Sequence, residues 1–170
     1  YYLALLAETL AGVGQLAEAF SVLDEALLLV EKSDERFFEA ELHRLRGELL
    51  LQGLNELSRE SAAPAVAAFR QAIEISRRQE ARSLELRAVM SLANLHRQLG
   101  GDAESHGLLV EAFAAFTQGL DTPDLRDAHA TVDRPLEGVV DLLPSNDLDR
   151  IRLPGEQRAD PQVPAPQAEE

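Results

Sequence analysis

The 170-residue chain has no cysteine, no tryptophan, one methionine and a single lysine, Lys32. Without thiols there are no disulfides, thiolate zinc sites or cysteine nucleophiles, which agrees with a reducing cytoplasmic setting. Long apolar runs are also missing: none approaches the roughly 18 residues of a membrane span. The first residues lack a basic signal-peptide start and are interrupted by Glu8. Aromatic side chains amount to six Phe and two Tyr, so a core must be filled mainly by Leu and Ala, which favour helices. Basic charge is scarce. Sixteen Lys and Arg stand against 30 Asp and Glu, a formal net charge of −14. Such a surface repels phosphate backbones and anionic lipid and has no counterions to release, which excludes direct nucleic-acid and membrane binding as the expected function.

What is present is a motif that returns. Ala19-x3-Leu23-x2-Ala26, Ala65-x3-Phe69-x2-Ala72 and Ser105-x3-Leu109-x2-Ala112 place a small, a large and a small residue on one helix face, in steps of 46 and 40 residues. A repeated helical motif of this kind predicts stacked helix pairs, with a period looser than the roughly 34 residues of a tetratricopeptide unit. Apolar residues at helical spacing predict helices over about 3–11, 15–32 and 36–52, one from Pro64 that carries Val66, Phe69, Ala72 and Ile73, and two more over about 81–99 and 102–116. Gly12 and Gly14 end the first, and Ser33 and Asp34 are cap-type residues before the third. Residues 53–63 read as an extended connection, and Pro64 suits the first turn of the fourth helix. Gly100-Gly101 close the fifth, with Asp102 as N-cap of the sixth. Thr122-Pro123 start a short seventh helix to about Val132 that covers one end of the array. The expected fold is all-α: tetratricopeptide-like antiparallel helical hairpins stacked as a short solenoid over residues 1–132, followed by an acidic, Pro-rich tail over 133–170, largely disordered. Seven of the eight prolines lie from Pro123 onward, and Leu136, Val139, Val140, Leu142 and Leu143 are apolar enough to dock on the repeats.

Within the repeats, Gly47 stands in the first helix of the second pair where the tetratricopeptide signature has Gly. Leu92-Ala93-x2-His96 and Leu6-Ala7-x2-Leu10 hold the corresponding places in the third and first. Three longer stretches resemble a particular group: Tyr1-Tyr2-Leu3-Ala4-Leu5-Leu6-Ala7-Glu8, Phe38-Glu39-Ala40-Glu41-Leu42-His43-Arg44-Leu45-Arg46-Gly47-Glu48-Leu49-Leu50-Leu51, and Ala81-Arg82-Ser83-Leu84-Glu85-Leu86-Arg87-Ala88. They look like the C-terminal tetratricopeptide repeats of bacterial multidomain regulators, in which a nucleotide cyclase, winged-helix or LuxR-type domain precedes an AAA-like signalling ATPase. The resemblance spans about residues 1–130. It implies a cytoplasmic sensory or partner-binding arm, the C-terminal end of a larger protein. The cyclase and ATPase residues of such proteins would lie upstream of Tyr1, so none is carried onto this chain.

Catalytic motifs are correspondingly sparse. Gly12-Val-Gly14-Gln-Leu-Ala17 matches G-x-G-x-x-A, but a helix precedes it and Asp24 follows too closely for a ribose-binding acid, so a helix-to-helix turn is expected. No P-loop pattern occurs. His43, His96, His106 and His129 sit on separate helices or their ends without metal-ligand spacing. No paired carboxylates are set for acid–base work. The expectation is therefore a segment without catalytic, cofactor-binding or metal residues.

The first helix of each pair lines the concave side of such a stack. This register puts Glu41, Arg44, Glu48 and Leu51, then Arg87, Met90, Asn94, Arg97 and Gln98, on that face. Arg44, Arg87, Met90, Asn94, Arg97 and Gln98 form the candidate partner-binding groove, and guanidinium forks beside a carboxamide suit an acidic or C-terminal peptide. The expected function is a non-catalytic protein-binding, regulatory module. Two alternatives stand beside it: a C-terminal fragment of a cyclase or ATP-binding protein whose catalytic domains lie upstream, and a structural module that self-associates through its first hairpin.

Overall fold

The computed structural model of the chain describes residues 2–33, 36–101, 103–117 and 122–133. The N-cap expectations at Asp34 and Asp102, and the tail beyond Asp133 with its apolar segment 136–143, lie outside the described residues. Within them there are seven helices and no strand: α1 Tyr2–Gly12, α2 Leu16–Ser33, α3 Glu39–Gln52, α4 Ala63–Arg78, α5 Arg82–Gln98, α6 Ala103–Ala114 and α7 Pro123–Val132. Each packs on the next in sequence, and α1 also touches α3, α3 touches α5, and α5 touches α7.

The recurring motif is the centre of the buried surface. Ala19, Leu23 and Ala26 on α2, Ala65, Phe69 and Ala72 on α4, and Ser105, Leu109 and Ala112 on α6 are all buried. Small residues flanking a large one let a neighbouring helix approach closely while the large side chain fills the space between. The second unit carries this furthest. An ideal Cβ on Gly47 would lie only 2.4–2.8 Å from three atoms of the Phe69 ring, so the absence of a side chain on α3 makes room for the phenylalanine of α4. Ala7 and Ala93, at the equivalent places on α1 and α5, are buried in the same cores as Leu23 and Leu109, so the slightly larger residue accompanies the smaller partner.

Two apolar clusters result. One gathers Ala4, Ala7, Leu23, Ala26 and Val30 from α1 and α2 with Leu42, Leu45 and Leu49 of α3. The other joins Phe69 and Ile73 of α4 to Leu86, Val89, Leu92 and Leu95 of α5, to Leu109 and Phe113 of α6, and to Leu125, Ala128 and Val132 of α7. Helix α3 forms the wall between them, its leucines facing one way while Leu50 and Leu51 pack on the other cluster.

Three of the turns close alike. The amides of Gln15, Ala81 and Gly101 donate to the carbonyls of Leu10, Ser76 and His96 at 2.9, 2.9 and 2.8 Å, each five residues back. The residue before each donor is left-handed: Gly14 at φ 81°, Glu80 at 54° and Gly100 at 100°. This Schellman closure satisfies carbonyls that the helix end would otherwise orphan.

Some boundaries differ from the sequence expectation. Ser33 belongs to α2, its hydroxyl donating to the Leu29 carbonyl at 2.8 Å, and does not cap the next helix. Helix α3 starts at Glu39 instead of Arg36, because Phe37 and Phe38 lie in a turn closed by the Glu39 amide on the Arg36 carbonyl at 3.0 Å. Gln79, the C-cap of α4, fixes that turn from outside, its amide nitrogen donating to the Arg36 carbonyl at 2.6 Å. The stretch after α3 is turned where an extended connection was expected: the amides of Ser58 and Ser61 donate to each other's hydroxyls at 3.0 and 3.1 Å, ahead of the start of α4. Gly14 serves a turn between two helices, so the G-x-G-x-x-A stretch lacks the preceding strand that a dinucleotide site needs.

Candidate functional site

Helices α1, α3, α5 and α7, which touch in succession, place the expected groove residues on α3 and α5. Spacing sets α5 as a stripe: Arg87, Met90, Ser91, Asn94, Arg97 and Gln98 recur every three or four residues and so share one side of the helix. On α3 the same rule lines up Glu41, Arg44 and Glu48.

These groups form one connected network. Arg44 donates through Nε to Glu41 Oε2 at 3.0 Å and through Nη2 to Glu41 Oε1 at 2.8 Å, a bidentate fork. Its Nη1 reaches Glu48 Oε1 at 3.3 Å and Ser91 Oγ at 3.5 Å. The Ser91 hydroxyl in turn donates to Glu48 Oε1 at 2.7 Å. Arg87 Nη2 approaches Glu41 Oε1 at 3.0 Å from α5. Glu41 therefore holds two guanidiniums, one from each helix. Both members of the α3 fork are buried, with side-chain exposures of 11% for Arg44 and 10% for Glu41. Burial works against the charged guanidinium of Arg44, yet the hydrogen bond and charge of Glu41, with Glu48 and Glu8 behind them, prevail and raise its pKa. Arg44 is thus a fixed structural cation.

The remaining groove residues divide between core and surface. Met90 packs against the second apolar cluster, as does Leu51 on α3. Arg97 Nη2 donates to Asn94 Oδ1 at 2.6 Å, which orders both side chains on the outward part of the stripe. Gln98 is exposed at the end of α5. Arg87, with 38% of its side chain exposed, and Arg97 are the guanidiniums that look outward. Sequence reasoning put Glu41 and Glu48 on the same face as Arg44 and Arg87 but offered the arginines to a partner, missing their shared pairing with Glu41 and the hydroxyl of Ser91. The i,i+3 and i,i+4 spacing of Glu41, Arg44 and Glu48 was the available signal, because residues so placed meet on the helix surface.

Beside the network a cleft of about 290 Å³ opens between α1 and α3, floored by Ala7, Ala11 and Gly12 and rimmed by Glu8, Glu48 and Gln52. The small residues of α1 leave this room next to Arg44. A second hollow of about 390 Å³ lies between α4 and α6. Its cations are held by acids: Arg70 lies 3.7 Å from Glu104, Arg78 lies 3.2 Å from Glu74, and Arg77 donates to Glu85.

Among the described residues no group of three His, Asp or Glu side chains is placed to hold a metal ion, and no helix is long and apolar enough to cross a membrane. His106 is buried on α6, and its pKa is lowered by that burial. His43 on α3 is also lowered, burial outweighing the raising effect of Glu39, with Arg46 acting in the same direction as burial. His129 pairs with Asp133 at 3.0 Å and meets the Phe113 ring edge-on at 5.8 Å. Comparison with protein-family models, with curated proteins and with solved structures found no match for the chain.

Proposed function

We propose that residues 2–133 form a tetratricopeptide-like solenoid segment whose groove, lined by α1, α3, α5 and α7, binds a protein or peptide partner without catalysis, as a regulatory arm of a bacterial cytoplasmic signalling protein. The observation that carries this reading is the succession of contacts α1–α3, α3–α5 and α5–α7, with Arg87, Asn94 and Arg97 half-buried and Gln98 exposed along one side of α5. A stack of helix pairs presents such a surface by construction, since every second helix lines the same side.

The partner class follows from the division of the arginines. Arg44 is fully engaged within the fold and acts as a positioning residue: it fixes Glu41, and Glu41 holds Arg87 across the gap between α3 and α5. Arg87 and Arg97 contact the partner, with Asn94 between them. They are ten residues apart, about 15 Å along the helix at ~1.5 Å per residue, which fits an extended segment carrying two carboxylates. Exposed pairs of this type contribute about 0–1 kcal/mol each, so the interaction is weak and salt-sensitive.

The test is an array of ten-residue acidic, neutral and basic peptides, read by fluorescence titration of the full chain at low and moderate salt. Acidic peptides are expected to bind best, to weaken as salt rises, and to lose about tenfold in affinity with the Arg87→Glu/Arg97→Glu variant. Equal binding of all three classes, or an unchanged affinity in that variant, removes the groove from the mechanism.

A further inference from the structure

The units are not alike along the side that α1, α3 and α5 share. With Ala7, Gly47 and Ala93 as equivalent positions, Ala11 and Gly12 of α1 stand where α3 has Leu51 and Gln52 and α5 has Arg97 and Gln98. The first unit thus lacks the longer side chains that occupy this level in the other two, and the cleft of about 290 Å³ between α1 and α3 is the result. Both of its walls belong to helices that pack on each other, and α5, which also packs on α3, leaves it open. Its size lies at the lower end of the range for ligand pockets, room for one long side chain and not for a drug-sized molecule. The walls are apolar, with Ala7 and Ala11 on α1 and the buried Leu45 and Leu49 on α3, while Glu8, Glu48 and Gln52 make a polar rim.

The charges at the cleft favour a cation. Three charged residues line it: Glu8, Arg44 and Glu48. Arg44 is already engaged, with Nε and Nη2 on Glu41 and Nη1 on Glu48 and Ser91. Once Glu41 and Arg87, tied to the same network, are included, three carboxylates face two guanidiniums. The carboxylate in excess is Glu8, which is exposed and has no ion-pair partner among the described residues. Lysine and arginine suit such a place, since their aliphatic stems cover apolar surface while the charged head stays at a polar rim. We infer that the cleft between α1 and α3 anchors a lysine or arginine side chain of the partner, its stem against Ala7, Ala11, Leu45 and Leu49 and its head between Glu8 and Glu48. This occupant rests on the groove reading above and deepens it, because the partner then carries charges of both signs. Ala11 lies at the level of Arg97, and neighbouring helix axes are about 8–10 Å apart, so the cleft is about 15 Å across the groove from α5. At ~3.3 Å per extended residue, the base falls about four or five residues beyond the carboxylate that meets Arg97.

Two titrations of the full chain separate the cleft from the stripe on α5. The first adds n-butylguanidinium, followed by amide NMR, with the neutral n-butylurea as control. Weak, saturable binding is expected, with shifts gathered on Ala7, Glu8, Gly12, Glu48 and Gln52. It should fade as salt rises, be absent with n-butylurea, and be lost in Glu8→Gln while circular dichroism stays helical. The second titration compares a peptide carrying two glutamates with the same peptide extended by arginine, or by neutral citrulline, about four residues beyond the second glutamate. Arginine should raise affinity about fivefold, the upper range of one exposed charge pair, and citrulline should not. In Glu8→Gln the gain should vanish, so that the arginine and citrulline peptides bind alike. Shifts spread over the acidic surface at large, an equal response to n-butylurea, or a gain from arginine that survives Glu8→Gln would each overturn the inference. A chain that holds n-butylguanidinium at the cleft yet ignores the acidic peptide refutes the stripe on α5 and keeps the cation site. One that binds the acidic peptide with no gain from arginine refutes the cation site and keeps the stripe.

Discussion

The close fit of the Phe69 ring over Gly47 makes this glycine an informative site to perturb. Alanine is normally preferred to glycine inside a helix by about 1 kcal/mol, so local propensity alone predicts that Gly47→Ala stabilises α3. The structure predicts the reverse. The new methyl would sit 2.4, 2.6 and 2.8 Å from three ring atoms of Phe69, well inside the ~3.5–4.0 Å of comfortable carbon contact. The ring is fully buried, 0% exposed, and has no open side to move into. Overpacking of this kind costs about 1–3 kcal/mol or more, and a ring displacement above about 1 Å belongs at the upper end. After the propensity gain, a net loss of about 1–2 kcal/mol remains, lowering Tm by about 3–8 °C in a folded region of this size. The decisive variant is Gly47→Ala/Phe69→Leu, which recreates the Ala and Leu found at the same two positions in the first and third units. Phe69→Leu alone leaves a void and is expected to cost about 1–2 kcal/mol, whereas the pair should recover about 1 kcal/mol or more of favourable coupling. Thermal melts of the three variants measure this cycle. A neutral or stabilising Gly47→Ala, or additive losses in the double variant, would refute the argument that these positions are matched in size.

The polar network and the buried histidines give two further predictions. Removing one member of the Glu41–Arg44 fork leaves a buried charge without its main partner, so Arg44→Leu or Glu41→Leu should each cost about 3 kcal/mol, while Glu41→Leu/Arg44→Leu should cost less than their sum; denaturant melts check this, and strict additivity would contradict it. His43 and His106 have pKa values lowered below 6.5 by burial. The unfolded chain therefore binds more protons once pH falls below about 6.5, and stability should drop from there until pH passes the lowered native values. A His43→Gln/His106→Gln variant should show a flatter stability profile between pH 7.5 and 5.5, and an unchanged slope would assign the effect to other groups.

Much of the fold was legible because it rests on periodicity. The three copies of the small–large–small motif mark the most buried stretches of α2, α4 and α6. The short seventh helix follows from Thr122-Pro123, since proline suits a first helical turn. Turn detail was less legible. Ser33 has the chemistry of an N-cap, but a serine hydroxyl bonds equally well to the carbonyl four residues back, and only the position of the chain break decides between them. Glu80 occupies a left-handed position that favours glycine, so no residue type announces that turn. The candidate site was half legible. Spacing put Arg44, Arg87, Asn94 and Arg97 on two neighbouring helices, but a pattern of charges does not reveal which are neutralised internally. Arg44 reads as a solvated cation until the distance to Glu41 is known, and Ser91 carries no sequence signal for its bond to Glu48 across the helix pair.

The proposal that a partner lies along α5 is tested most directly by residue-resolved mapping. Amide resonances of the isotopically labelled full chain are to be followed by NMR while the best-binding acidic peptide of the array is added. The account predicts shifts concentrated on residues 87–98 of α5 and on the facing part of α3, with little change at the motif positions of α2, α4 and α6. Shifts centred on the hollow between α4 and α6, with those of Arg87, Asn94 and Arg97 unmoved, would contradict it.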